Sequence, residues 1–134
     1  MSLSNTTETA ALNCFLRGTD PSYRSGVTQY LALFTADPTE SASLAAEATY
    51  TGYARVALTK ATAWTGTASP FTNTNLIQFP ACTAGTSVCT HFAVVDTASG
   101  AVAMMISGSL SASLSVSTGI QPQFQAGALS IACD

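Results

Sequence analysis

The sequence predicts a mainly β protein, an antiparallel β-sandwich of jelly-roll-like form with a short N-terminal α-helix. Three observations carry that expectation. Eight or so short strand-like runs recur at regular spacing, punctuated by Gly, Pro, Asn, Asp, Ser and Thr. Leu110, Ala112, Leu114 and Val116 alternate with Ser111, Ser113, Ser115 and Ser117, the pattern of a strand with one buried face. Tyr30-Leu31-Ala32-Leu33-Phe34-Thr35 is apolar on both faces, as a central sandwich strand must be. The 134 residues suit one domain, residues 1–134, able to bury its own core, with residues 1–18 as a helical arm.

Taken in order, the chain opens with a helix. Asn5 stands where a cap is needed, with Glu8 three residues on, and Leu12, Phe15 and Leu16 share a face. Cys14 points away from that face. Arg17 suits the C-terminal dipole and Gly18 ends the helix. After a loop containing Pro21 and Gly26, a strand is expected over residues 27–35. Asp37-Pro38 breaks it. The polar loop from Thr39 to Thr51 is long for a compact domain, carries Glu40 and Glu47, and has room for one helical turn over residues 43–48. Tyr53-Ala54-Arg55-Val56-Ala57-Leu58-Thr59 then reads as a strand paired with the Tyr30 run. By the two-residue period it shows Tyr53, Arg55, Ala57 and Thr59 on one face. That places Arg55, one of four cations in the chain, either as a solvated residue near the loop carboxylates or as an anchor for another subunit.

A Thr/Ser/Asn/Pro-rich connection covers residues 66–75. Strands follow at 76–80, ended by Pro80, and at 88–96, with a Thr97–Gly100 turn leading back into 101–106 as a hairpin. The Leu110–Val116 strand comes next, then Pro122–Gln125. The final strand puts Leu129, Ile131 and Cys133 on one face.

Composition limits the functions open to the chain. Charged residues make up 8%, against roughly 25% in ordinary soluble domains, while Ser and Thr exceed a quarter. So little charge does little to discourage association, which suits closely approached surfaces better than a freely diffusing monomer. A net charge of −3 and no run of three basic residues argue against a nucleic-acid partner. Apolar stretches reach about six residues, far short of the roughly 20 of a spanning helix, so no membrane partner is expected. The N-terminus has no signal-peptide pattern.

No arrangement specifies an enzyme. His91 is the only histidine, no serine sits in a Gly-x-Ser-x-Gly elbow, and no glycine-rich phosphate loop is present. His91 reads as a strand residue with a hydrogen-bonded ring. Cys82, Cys89 and His91 lack a fourth ligand and zinc spacing, so neither metal nor cofactor is expected. Cys82 and Cys89 flank a six-residue loop. If that loop joins two paired strands, the sulphurs can face each other and form a disulfide stabilising the fold by roughly 2–3 kcal/mol; two reduced thiols are the alternative. Cys14 and Cys133, on the terminal elements, could pair within or between chains.

Several segments together resemble a family of small tailed-bacteriophage virion structural proteins, often labelled tail-fibre-like. They are Met1–Ser4, Phe15-Leu16-Arg17-Gly18, Leu31–Thr39, Gly52–Val56, Thr90-His91-Phe92 and Ala126-Gly127-Ala128-Leu129. The resemblance spans nearly the whole chain in order and spacing, and the nine residues Leu31–Thr39 are its most specific part. It implies a non-enzymatic virion protein, made in the host cytoplasm. Small size, uncharged faces and the lack of a repetitive shaft favour a capsid decoration (cement) protein. Such a protein would be a homo-oligomer binding and stabilising the major capsid protein shell. A tail-fibre or tail-tip component involved in host attachment, with tail proteins as partners, is the alternative. A carbohydrate-binding module with Trp64 and Tyr53 as stacking platforms is a third reading. Leu12, Phe15, Leu16, Arg55 and Trp64 are the candidate interface residues, and Cys82 and Cys89 the disulfide candidates.

Overall fold

Strand β2 (Thr28–Phe34) organises the computed structural model, which describes residues 1–103 and 105–132. Its odd-numbered leucines, Leu31 and Leu33, enter the main core, while Ala32 and Phe34 enter a second cluster on the opposite face. Burial on both faces is what its unbroken apolar run requires. β2 pairs antiparallel with β3 (Val56–Thr59), Tyr30 opposite Ala57, and on its other side with β7 (Ser87–Val95), Ala32 opposite Ala93. β7 continues into β8 (Met105–Val116), whose far edge takes β1 (Ser2–Leu3). The five-stranded sheet therefore runs β1-β8-β7-β2-β3.

Two smaller antiparallel sheets complete the strands. β5 (Phe71–Asn73) lies between β4 (Trp64–Thr65) and β10 (Ser130–Ile131), and β6 (Ile77–Gln78) pairs with β9 (Gln123–Phe124). The main core joins Leu31, Leu33, Leu58, Phe92, Val94 and Val116 of the large sheet to Ile77, Phe79 and Leu129 from these outer segments. The chain is mainly β, with antiparallel sheets and a short N-terminal helix. Its division into five, three and two strands does not show the double Greek key of a jelly roll.

The loop expected to be a loose acidic connection is a second layer. Leu44, Ala46 and Ala42 cover Ala32, Phe34, Ala93 and Val95. Backbone bonds from Thr35 N–H to Ala46 O and from Ala48 N–H to Leu33 O, both 2.8 Å, hold it against the end of β2. Those bonds replace the helical turn expected over residues 43–48, which form turns and an isolated bridge between Phe34 and Glu47.

Helix α1 (Asn5–Arg17) has the expected length, but its cap is Ser4, one residue earlier than expected. The Ser4 hydroxyl accepts from Thr7 N–H at 3.3 Å, and Gly18, at φ 65°, closes the C-terminus. A short α2 (Lys60–Ala63) follows β3 directly. The two strands expected at 101–106 and 110–116 are one, β8. Its register slips opposite β7: Cys89 faces Leu114 and His91 faces Ser109. The expected placement of Cys133 on the final strand, and its pairing with Cys14, lie outside the described residues.

Candidate functional site: an outward helix face and a buried arginine

α1 turns its small side chains inward. Thr7 is buried and Ala10, Ala11 and Cys14 are partly buried, while Leu12, Phe15 and Leu16 are 58%, 84% and 79% exposed. At about 100° per residue these are opposite faces of one helix, with Cys14 away from the Leu12–Leu16 face. From sequence this segment reads as a helical arm with Leu12, Phe15 and Leu16 as interface candidates, and a lid on its own core is the competing arrangement. A helix serving as a lid would bury Leu12, Phe15 and Leu16, and this one does not.

The start of α1 is nonetheless built into the body. Leu3 and Ser2 pair with Ile106 and Ser107, Asn5 N–H donates to Glu40 O at 2.9 Å, and Ser4 and Thr7 are buried. The helix is anchored at its N-terminus with its apolar stripe held away from the domain.

Arg55 is neither a solvated residue nor an exposed anchor. β3 begins only at Val56, because a turn closed by Tyr53 N–H to Tyr50 O, with Gly52 at φ 99°, interrupts the strand expected from Tyr53. The guanidinium is buried and all its donors are used. Nε and Nη2 bind the two Glu47 carboxylate oxygens at 2.7 and 2.8 Å, Nη1 donates to Thr97 O and Oγ1, and Nη2 also donates to Gly100 O. The Glu47 hydrogen bonds, followed by burial working against them, leave the Arg55 pKa raised.

Tyr53 completes this network. Its hydroxyl donates to Glu47 Oε1 at 2.9 Å and accepts from Leu33 N–H at 3.1 Å. Burial, the largest cause, raises its pKa. One ion pair thus ties β2, the covering loop, the approach to β3 and the β7–β8 turn together. Its chemistry is structural.

The stacking platforms proposed from sequence are occupied. Tyr53 stacks on Phe79 with ring centroids 6.2 Å apart, and Trp64, half-buried, packs against the main core. His91 sits in β7, with Nδ1 2.9 Å from the Thr90 hydroxyl. Because that hydroxyl already donates to Thr35 O, the ring nitrogen is the donor.

Cys82 and Cys89 are separate buried thiols rather than the bridge suggested by their loop. The premise of that bridge was a hairpin, and there is none: Cys82 N–H bonds Ile120 O, while β7 pairs with β2 and β8. The Cys82 thiol donates to Ala84 O at 3.3 Å, and burial pushes the Cys89 thiol up to about 11.

Asn73 was passed over in the sequence as part of a loop. It is buried, its Nδ2 donates to Asn75 O and Gln125 O, and its Oδ1 accepts Leu129 N–H at 2.9 Å. A lone Asn in a Thr/Ser-rich stretch carries no signal that separates such a clamp from turn chemistry.

Comparison with known families places these surfaces in context. Residues 2–132 match the family described as podophage GP4 fiber I protein gp80, and the chain belongs to that family. No curated protein matches the chain. It is therefore a phage fibre protein, a structural component of the virion and not an enzyme. The capsid decoration reading gives way to the tail-fibre alternative. Lack of a repetitive shaft in one chain does not argue against a fibre assembled from several chains.

Proposed function

We propose that this chain is a folded structural unit of the tail fibre, joined to neighbouring fibre or tail proteins through the outward face of α1. The observation that carries the reading is the exposure of Leu12, Phe15 and Leu16 on a helix whose start is bonded to the body. Three large apolar side chains left in water are costly unless an assembly covers them; full burial stabilises by roughly 1.5–3 kcal/mol each. Arg55 and Trp64, also considered as contacts, act within the fold instead. Host attachment is then a property of the whole fibre, to which this chain contributes a rigid building unit.

The test is made on phage particles carrying either the native chain or the L12S/F15S/L16S variant. The native chain is expected on the tail, in a copy number of about a dozen or fewer relative to the major capsid protein. The variant is expected to fold but to be missing from the particles. Incorporation of the variant at native level would refute the assigned face, and hundreds of native copies on the head would refute the tail location.

A further inference from the structure

We propose that copies of this chain associate head to tail, the basic end of one seated on the acidic end of the next. This contact lies beyond the outward face of α1 and does not use it.

The charges sort by their place in the fold. Arg55 and Glu47 are spent on each other, and Asp96 stands within reach of the same guanidinium. Of the other cations, Arg17 stands in the last turn of α1, Arg24 lies in the loop after it, and Lys60 opens α2. The Lys60 ammonium donates to the Tyr23 carbonyl. Burial, and then Cys14 of α1, raise the Tyr23 pKa, so the last turns of the helix lie beside it. Arg17, Arg24 and Lys60 therefore share one corner, where the acid is Asp20, paired with Arg24. Glu8, Asp37 and Glu40, all exposed, gather at the start of α1 instead. The Glu40 carbonyl accepts Asn5 N–H, Glu8 and Glu40 line one cavity, and Asp37 and Glu40 line the next. Counting the Met1 amino group, this end keeps a negative excess.

Two elements measure the separation. α1 runs from the acidic end to the basic end, and Asn5 to Arg17 spans about 18 Å. β2 runs the other way. Its start, Thr28, stands opposite Thr59 beside Lys60, and Asp37 follows its end at Phe34, about 20 Å along. Both lengths are about twice the screening length of roughly 8–10 Å, so each end presents its own sign.

Each end also has an apolar part. Val27, in the chain between Arg24 and the Lys60 N–H that its carbonyl accepts, is 74% exposed. The cavity at the acidic end, about 310 Å³, is lined by Met1, Leu3, Ile106 and Ile131 together with Glu8 and Glu40. A valine among cations thus meets an apolar cavity rimmed by carboxylates, and a second copy of this chain supplies both. Like ends repel, which disfavours a two-fold pair. Unlike surfaces on one chain make a heterologous contact, and such contacts repeat in a row.

Sedimentation of the purified full chain at about 100 μM, in about 20 mM and about 500 mM salt, reads the contact. Species growing beyond a dimer are expected at low salt, with association weaker by about tenfold or more at high salt. V27D should weaken it at both. E8K/E40K has two positive ends and R17E/R24E two negative ends, so each alone should be a monomer with unchanged circular dichroism. Mixed in equal amounts they should associate again, because every contact then joins opposite signs. A native chain that stays monomeric at low salt overturns the proposal. So does one that stops at a dimer, or a folded pair of variants that fails to associate on mixing. The L12S/F15S/L16S variant separates this contact from the α1 reading. It should associate in solution like the native chain while missing from phage particles. Loss of its association in solution overturns the head-to-tail contact, whereas normal incorporation into particles overturns the α1 face alone.

Discussion

Replacing Arg55 by Ala should be among the most damaging single changes in this chain. The side chain is 3% exposed and its partner Glu47 is 16% exposed. Removing the guanidinium deletes five hydrogen bonds and leaves a carboxylate with one remaining side-chain donor, the Tyr53 hydroxyl. Breaking a buried pair from one side costs about 3–5 kcal/mol. Glu47 retains some access to water, and the Thr97 and Gly100 carbonyls lie at a surface turn, so the lower end, about 3 kcal/mol, applies. For a domain of this size that lowers the melting temperature by about 10 °C.

Urea and thermal unfolding of R55A, E47A and the double variant measure it. The double variant should lose clearly less than the sum of the singles, by about 2 kcal/mol, because removing Glu47 also removes the orphaned charge. R55K keeps a charge but not the two-pronged geometry and should fall between native and R55A. Incorporation into phage particles should be unaffected once the variants are folded. If R55A costs under about 1 kcal/mol, or changes assembly without changing stability, the structural role assigned to the network is wrong.

Further outcomes follow from other sites. Gly52→Ala should destabilise by about 1–3 kcal/mol, since φ is +99° and a Cβ would sit 2.7 Å from Ala81 O; an unchanged urea midpoint would contradict this turn. Asn73→Ala should cost about 2 kcal/mol by orphaning the buried Leu129 N–H, and its amide exchange should quicken. Burial raises Cys89 from 9.0 to about 11 and Tyr50 from 10.0 to about 12. Both groups hold their protons more tightly when folded. Their contributions are therefore complete below about pH 9 and pH 10 and fade as pH rises to about 11 and 12, so stability should fall through that window. Cys89→Ala should flatten the lower part of the decline and Tyr50→Phe the upper part. A chain starting at Thr19 should lose both incorporation into phage particles and some stability, because β1 and the buried Ser4 go with the helix. The L12S/F15S/L16S variant should lose incorporation alone.

What could be read from the residues followed from local rules. The helix over residues 5–17 needs only its spacing, its first-turn acid and Gly18, and the error of one residue at its cap came from choosing Asn5 over Ser4, two equally good acceptors. β2 announced burial on both faces because its Tyr30–Phe34 run has no position polar enough to require water. β5 was hidden for the opposite reason. Three residues carry no period, and its partners β4 and β10 stand on either side of it in sequence, β10 more than fifty residues away. The 37–51 loop was misread because its apolar residues are Ala and Leu scattered among acids, and only the tertiary contact with Ala32 and Phe34 makes them a layer. Arg55 was placed by strand alternation on an open face, but the Gly52 turn breaks that alternation three residues before it.

Low charge content and the fibre role are connected through where the charges went. A surface rich in Ser and Thr has little long-range repulsion, so the geometry of exposed apolar groups decides whether and how copies associate. Most ionic side chains of the described residues are spent within the chain, on the Arg55 network, on the Asp20–Arg24 pair and on loop caps at Asp37 and Asp96. The helix whose apolar stripe faces outward keeps an exposed acid at one end and an exposed base at the other. Had Leu12, Phe15 and Leu16 been turned into the domain, the same helix would add to the core, and among the described residues Met1, Val27, Phe71, Leu76, Val88 and Ile120 would be the exposed large apolar side chains. Turned outward, with the helix start held by Ser4 and by the Asn5–Glu40 bond, they give the fold an exposed apolar surface beside its N-terminal strand. Covering such a surface is what a neighbouring protein in a fibre would do.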